Sequence, residues 1–478
     1  MWNGAFPKSS CWIDKVGGMV EMVIERLREI AEKTVQYALK QKVSQAQAVA
    51  FLLDNALTRF ANSQIHQNVA QKIGGVAVKV VLDKRISTVQ ANTLEEGGIK
   101  EAVEQAIKIA RASSPNKDFK SLPEPEAWKP VKGAFDKETA ECTPNFRAEK
   151  VKEAIETAHS KSPKIAAVAG YLCTQSVNYA VANSLGVSAW AELTLSYMKT
   201  TVISRDGDSE GFGTAEQYSR RVKDIKPTVL AGDAADKSVR SLHPVKIDPG
   251  EYEVVLSPLA VSVLLTYMGF VGFSATAYQD GQSFVKYFAN QQVFDAELNV
   301  VDDARNPKTL YAVPVDGEGV PKKPLELIVD GKVSEKSICY NSFTAGKEEK
   351  KSTGHALPPI GDYYGERPMP FNMVMKPGDA TMEEAIADTK NGIFVTTFHY
   401  VNPVEPTKLI LTGLTRDGTF LIEKGELTKP VVNMRFTDSM LSALKEIPMI
   451  GKELEIVETT TVPMVKLKKL RFVGVSAY

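Results

Sequence analysis

The sequence is poor in the residues from which metal sites and disulfide frameworks are built. Four cysteines in 478 residues, Cys11, Cys142, Cys173 and Cys339, stand far apart and form no CxxC pair. That excludes a zinc ribbon and a disulfide scaffold, and it predicts a reducing, cytoplasmic setting. Of five histidines, His66, His159, His243, His355 and His399, no two lie at helix-ligand spacing. A metal site made from them needs distant parts of the chain to converge, and a hydrogen-bonded structural role is the default for each. Charge excess is missing too: Lys+Arg and Asp+Glu both number 58, which argues against a nucleic-acid partner. No apolar run reaches the roughly 18–20 residues that span a bilayer, so no membrane partner is expected. The amino end, MWNGAFPKSSCWIDKVGG, lacks the positive start and apolar centre of a signal peptide.

Motifs that would announce other chemistries are absent or broken. There is no GxSxG, and Gly211-Phe212-Gly213 has neither the third glycine nor the lysine of a phosphate loop. Asp206-Gly207-Asp208-Ser209-Glu210-Gly211 opens like a calcium loop, but its twelfth position is Gln217 and a strand precedes it. A hairpin tip is the better reading.

What is present is clear periodicity from about Met19. The first 18 residues read as a loose extension or an upstream start codon, with Met19 or Met22 as alternatives to Met1. Met19–Lys40 has apolar residues at helical spacing; strands follow at Ala46–Leu53, Leu57–Asn68, Gly75–Asp83 and Ile86–Ala91, then a helix at Glu95–Ala112. Ser113–Pro130, with four prolines among charges, reads as a linker. Thr143-Pro144 opens a helix running to Lys161, and Ile165–Ala182 and Val187–Ile203 form long strands joined by the turn Asn183-Ser184-Leu185-Gly186. Thr214–Lys223 is rich in helix formers, and another helix is predicted near Ala231–Leu242. From Val245 the chain is mostly strands, with short helices at Met382–Lys390 and Thr437–Lys445. Lys466–Arg471 alternates with apolar residues and predicts a half-exposed strand. The fold class is α+β: an N-terminal helix and antiparallel-sheet region, then a strand-rich, barrel-like C-terminal domain. The expected domains are 19–125, a central α/β-hairpin region 126–244, and 245–478.

One stretch carries the functional argument, Gly250–Ser283. It begins as a buried strand, turns at Ser257-Pro258, where the serine hydroxyl is placed to cap a helix, and continues as a helix apolar nearly all round. Strand, Ser-Pro and Val263-Leu264-Leu265 resemble the TldD/PmbA family, formerly called modulators of DNA gyrase and regarded as metallopeptidases. Further motifs appear in family order: Gly281–Phe284, Asp302-Asp303, Asp316–Pro321, Ser352–Gly354, Pro377–Asp379, Gly392–Thr396 and Ile422–Glu426.

The resemblance implies what is missing. Catalytic members follow VLL with HExxxH; here Thr266, Tyr267 and Val271 stand where histidine, glutamate and histidine would be. Those members also place a cysteine near the carboxyl end, where this chain has Val457-Glu458-Thr459-Thr460-Thr461. None of these side chains holds zinc as imidazole, carboxylate and thiolate do. The resemblance is therefore to TldE/PmbA-like members, with no catalytic residues, no metal ligands and no cofactor of the chain's own. It implies a homodimer when alone, a heteromer with a TldD-like catalytic subunit, and unfolded peptide as substrate. The alternative is a self-sufficient homo-oligomeric hydrolase or ligand-binding protein. Asp302, Asp303, Asp316 and Glu318 are then the acids of interest, although their glycine-rich surroundings predict solvated turns. Tyr267 is expected in the core.

Overall fold

Alternation along the strands and 3.6-residue spacing along the helices pair the N-terminal elements into two layers. The computed structural model describes residues 20–360 and 367–475, so the expected extension at 1–18 and the alternative starts at Met1 and Met19 lie outside the described residues. Helix α1 (Val20–Lys40) leads into β1 (Gln45–Ala61), β2 (Gln64–Leu82), β3 (Arg85–Ala91) and α2 (Glu96–Ala112). After the proline-rich connection come α3 (Lys137–Ala140), α4 (Pro144–Lys161), β4 (Ile165–Asn183), β5 (Ser188–Asp206), β6 (Ser209–Ser219) and α5 (Pro227–Arg240). The strands form one antiparallel sheet in the order β3-β2-β1-β4-β5-β6.

Because side chains alternate across a strand, each strand divides its residues between two faces. Ala46, Ala48, Ala50, Val76, Val78 and Val80 pack against α1 and α2, while Val168, Leu172, Met198 and Val202 pack against α4 and α5. The odd-numbered set, including Tyr171, Val177, Tyr179, Leu193, Leu195 and Tyr197, faces the C-terminal domain.

The C-terminal domain is built from β7 (Gly250–Leu256), α6 (Pro258–Gly272), β8 (Val300–Asp302), β9 (Leu325–Ile328), β10 (Met373–Met375), β11 (Asn391–Glu405), β12 (Ile410–Glu423), β13 (Glu426–Pro430), β14 (Met434–Ser439), β15 (Met449–Ile450), β16 (Glu455–Val457), β17 (Thr460–Val462) and β18 (Val465–Val475). Strand pairings run β11-β7-β18-β14-β12 and return to β11, which closes a five-stranded ring. The expected barrel-like domain is this ring. A second sheet, β16-β17-β10-β8-β9, lies beside it. Helix α6 shares one core with both sheets through Leu264, Leu265 and Met268.

Several expected boundaries differ. The pieces 46–53, 57–68 and 75–83 are two long strands turning at Asn62-Ser63, both with positive φ. Pairing of β1 with β4 carries the strand through its polar middle. Thr214–Lys223 contains no helix of its own beyond the turn Val222–Asp224; its first half completes β6, since the ladder from β5 overrides local propensity. The following helix starts four residues earlier than read, with Pro227 in its first turn. Thr437–Ser439 belong to β14, leaving only Met440–Ala443 helical. Thr143 caps α4 as expected, accepting from the Phe146 N–H at 3.2 Å. Ser257 does not cap α6: its hydroxyl donates instead to the Thr396 carbonyl at 2.5 Å, tying the turn to β11. In β18, Lys466 is fully buried rather than half-exposed, paired with Asp388 at 2.6 Å and Glu253 at 3.1 Å. The Asp206–Gly211 segment is the β5–β6 hairpin tip.

Candidate functional site

Helix α6 presents its stripe of small residues to the second sheet. Ser262 accepts a hydrogen bond from the Thr460 hydroxyl at 2.8 Å, and its own hydroxyl lies 3.4 Å from the Val457 carbonyl. Two turns along, a Cβ on Gly269 would meet the Met373 sulfur at 2.9 Å. Thr266 falls between them at helical spacing. The helix and the β16–β17 hairpin, far apart in sequence, thus meet directly. Val271 is buried; Thr266 and Tyr267 are half-buried, and Tyr267 packs against the edge of the core rather than within it. Among the described residues, no three histidine, cysteine, aspartate or glutamate side chains are arranged to hold a metal ion.

Between the hairpin, the segment 310–316 and the inner face of β4 and β5 lies a cavity of ≈ 470 Å³. Its wall is aromatic. Tyr171 and Tyr197 meet edge-on at 5.7 Å, Tyr197 stacks on Tyr218 at 5.8 Å, and Tyr311 leans on Phe371 at 4.8 Å. Burial, followed by the charge of Glu216, pushes the Tyr171 phenol up to about 12. Glu458, at the tip of the hairpin with φ of 50°, also lines this cavity. Glu458 is exposed but surrounded by protein on most sides, and burial, then the nearby Glu216, raises its pKa. Glu216 is held by Lys199 at 2.6 Å and by the Tyr218 hydroxyl at 2.7 Å.

The acids expected in solvated turns are mostly buried. Asp302 is fully enclosed and accepts from the Phe371 and Asn372 N–H groups at 2.7 and 2.6 Å, with Lys322 at 3.4 Å and the His355 Nε2 at 3.0 Å. Burial pushes its pKa up, but the Lys322 charge and the His355 hydrogen bond outweigh it, leaving the carboxyl well below the usual range. His355 is equally enclosed, and its Nδ1 meets the Thr353 hydroxyl at 2.9 Å. Both ring nitrogens are engaged. Burial, then Lys322, lowers its pKa, so the ring is neutral at pH 7.

Asp316 accepts from the N–H groups of Glu318, Val320 and Ala356 at 2.9, 2.9 and 3.0 Å. Burial, then the charge of Glu318, pushes its pKa well above the carboxylate range. Glu318 is bound by the Ser342 N–H and hydroxyl at 2.8 and 2.7 Å and faces Lys79 at 3.5 Å. The glycine turn is buried because it is pressed against the N-terminal sheet: Gly319, at φ of 80°, leaves a Cβ position only 2.5 Å from Val187. Of the four acids, Asp303 alone is partly exposed. These groups brace the junction between the halves. His399 sits on β11 with one ring nitrogen 2.9 Å from Arg416.

The sequence reading named the Val457–Thr461 region but not Glu458 as a cavity group, and it missed the tyrosines, Lys79 and Lys322. The one signal was the odd-numbered series in β4, where Tyr171, Val177 and Tyr179 are apolar or aromatic opposite a helix-covered face.

A helix-backed antiparallel sheet joined to a C-terminal domain with a small barrel, with an aromatic cavity between the sheet and the β16–β17 hairpin, defines an α+β protein. Three family models match it in order: PmbA/TldA metallopeptidase domain 1 over residues 55–110, the central domain over 137–242 and the C-terminal domain over 249–474. The chain belongs to the PmbA/TldD metallopeptidase family. A metalloprotease PmbA homolog of Haemophilus influenzae is 22% identical over 466 residues, covering 94% of this chain and 96% of that protein. An uncharacterized protein of Methanocaldococcus jannaschii is 27% identical over 285 residues, and this match spans 59% of the chain and 63% of the relative. In fold, TldE from Thermococcus kodakarensis superposes with a TM-score of 0.85 at 20% identity, covering 93% of this chain and all of that one.

Proposed function

We propose that the chain is a TldE/PmbA-like subunit of a TldD/TldE-type peptidase complex. It lacks a metal site of its own and forms part of the chamber that admits unfolded peptides. The observation that carries this reading is the meeting of α6 with the β16–β17 hairpin. At the positions corresponding to HExxxH the helix offers Thr266, Tyr267 and Val271, and the facing segment Val457–Thr461 offers no thiolate. A TldD-like partner supplies zinc and general base, and this chain supplies wall. Alone, it forms a homodimer through the face that otherwise meets the partner. Its compartment is the cytoplasm, in keeping with its unpaired cysteines.

Co-expression with a family member carrying HExxxH tests this. The expected result is a mixed complex that cleaves unstructured peptides and spares folded proteins. Substituting the partner's HExxxH glutamate abolishes cleavage, whereas Thr266→Ala here leaves it intact. Elemental analysis of the chain purified alone should find no stoichiometric zinc. About one zinc per chain, or peptide digestion by the chain alone, would instead favour a self-sufficient homo-oligomeric hydrolase or ligand-binding protein. The observation on the side of that second reading is the enclosed Asp302–His355 pair beside the cavity.

A further inference from the structure

Acidic groups in and around the cavity between β4, β5 and the β16–β17 hairpin differ in how the fold meets their charge; Asp316, which also lines it, is held by three backbone N–H groups. Glu216 is matched by Lys199, and Asp302 by Lys322. Among the described residues Glu458 makes no ion pair of its own, the Lys199 charge that reaches it being bonded to Glu216; it shares the cavity with five tyrosines and Phe371, and the Tyr218 hydroxyl lies beside it. A second acceptor stands next to it. Met373 pairs with Thr460 across the parallel β10–β17 ladder and takes the Thr459 carbonyl at 2.9 Å, so Asn372 lies alongside the hairpin tip. Asn372 is 3% exposed, lines the same cavity, and has a side-chain oxygen without a hydrogen-bond partner among the described residues.

The backbone adds an independent observation. Glu458 occupies left-handed conformation, where a glutamate is strained and glycine or asparagine is at ease. Such strain at a cavity wall is most readily kept when the side chain has work to do. Aromatic faces around a carboxylate that has no ion pair of its own form an environment that attracts an organic cation, through the ring quadrupole and the charge together. We propose that this cavity binds a cationic group of a peptide, a guanidinium or primary ammonium, with Glu458 as the counter-charge and Tyr171, Tyr197 and Tyr218 as walls. The cation comes either from a basic side chain or from the peptide's amino terminus.

The choice of a peptide as carrier rests on the function proposed above, but binding is measured on the full chain alone. A mixed complex that fails to form therefore leaves this test readable. Isothermal titration compares acetyl-Ala-Arg-Ala-amide, its neutral citrulline counterpart, and Ala-Ala-Ala-amide with a free amine. Saturable binding of the arginine peptide, at least tenfold tighter than the citrulline peptide, identifies a basic side chain as the source. Binding of the free-amine peptide alone identifies the amino terminus. In either case Glu458→Gln should remove the preference for charge. Glu458→Gly should do the same while keeping or raising the melting temperature, because it relieves the backbone. Equal binding of charged and neutral peptides, no binding of any, or a preference that survives Glu458→Gln would overturn the proposal.

Discussion

At the scale of single residues, the contrast lies between Asp302, whose acceptors are all used, and Glu458, which has no ion pair among the described residues. Asp302 spends every acceptor on Lys322, His355 and two backbone N–H groups. Its folded pKa is depressed below the unfolded value of about 3.9. Its contribution to stability is therefore present above about pH 4 and is lost as pH falls through the folded value. Lys322→Met strands that carboxylate and should cost about 3 kcal/mol at pH 7. Urea titrations should show the cost shrinking below about pH 4, where Asp302 takes up a proton in the variant first. A cost independent of pH would mean that Lys322 acts through packing alone. None of this was legible in the sequence, because Asp302, Lys322 and His355 come together only in the fold, and the nearby Asp316–Gly319 turn has the composition of a surface loop. What buries that turn is contact with Val187, more than a hundred residues away.

At the scale of elements, α6 shows what sequence can and cannot specify. Its apolar circumference, its proline start and the altered HExxxH positions are all readable in one stretch. Its apposition to the β16–β17 hairpin is not, since Ser262 and Thr460 are 198 residues apart. The same holds for the cavity, whose tyrosines come from β4, β5, β6 and the segment near 311. Long strands were recognised by alternation, but their ends were misplaced wherever a partner strand, not local propensity, set the boundary. The close packing of α6 gives a paired test. A Cβ at Gly272 would lie 2.2 Å from the buried Phe284 ring, so Gly272→Ala should destabilise by about 1–3 kcal/mol. Gly97 in α2 has nothing within 4 Å, so Gly97→Ala should stabilise by about 0.5–1 kcal/mol. Thermal melts of the two variants should move in opposite directions.

At the scale of the whole molecule, the two halves complete one another's surfaces. Leu193, Leu195 and Tyr218 of the sheet share a cluster with Leu310, Ala312 and Val457 of the C-terminal domain. A fragment of residues 20–242 should keep its helix-backed sheet but expose that inner face, and should bind a hydrophobic dye far more strongly than the intact chain. A fragment that stays dye-silent and monodisperse would show that the face needs no cover. The ring of the C-terminal domain bears on how the protein is made. β18 lies between β7, the first strand of that ring, and β14. During translation the N-terminal sheet can assemble as soon as β6 has emerged, but the ring must wait, open on both sides of an empty slot, until its latest-made strand leaves the ribosome. Through that interval the apolar edges of β7 and β14 face solvent unguarded. A nascent chain stalled before Val465 is the species on which chaperones should be found.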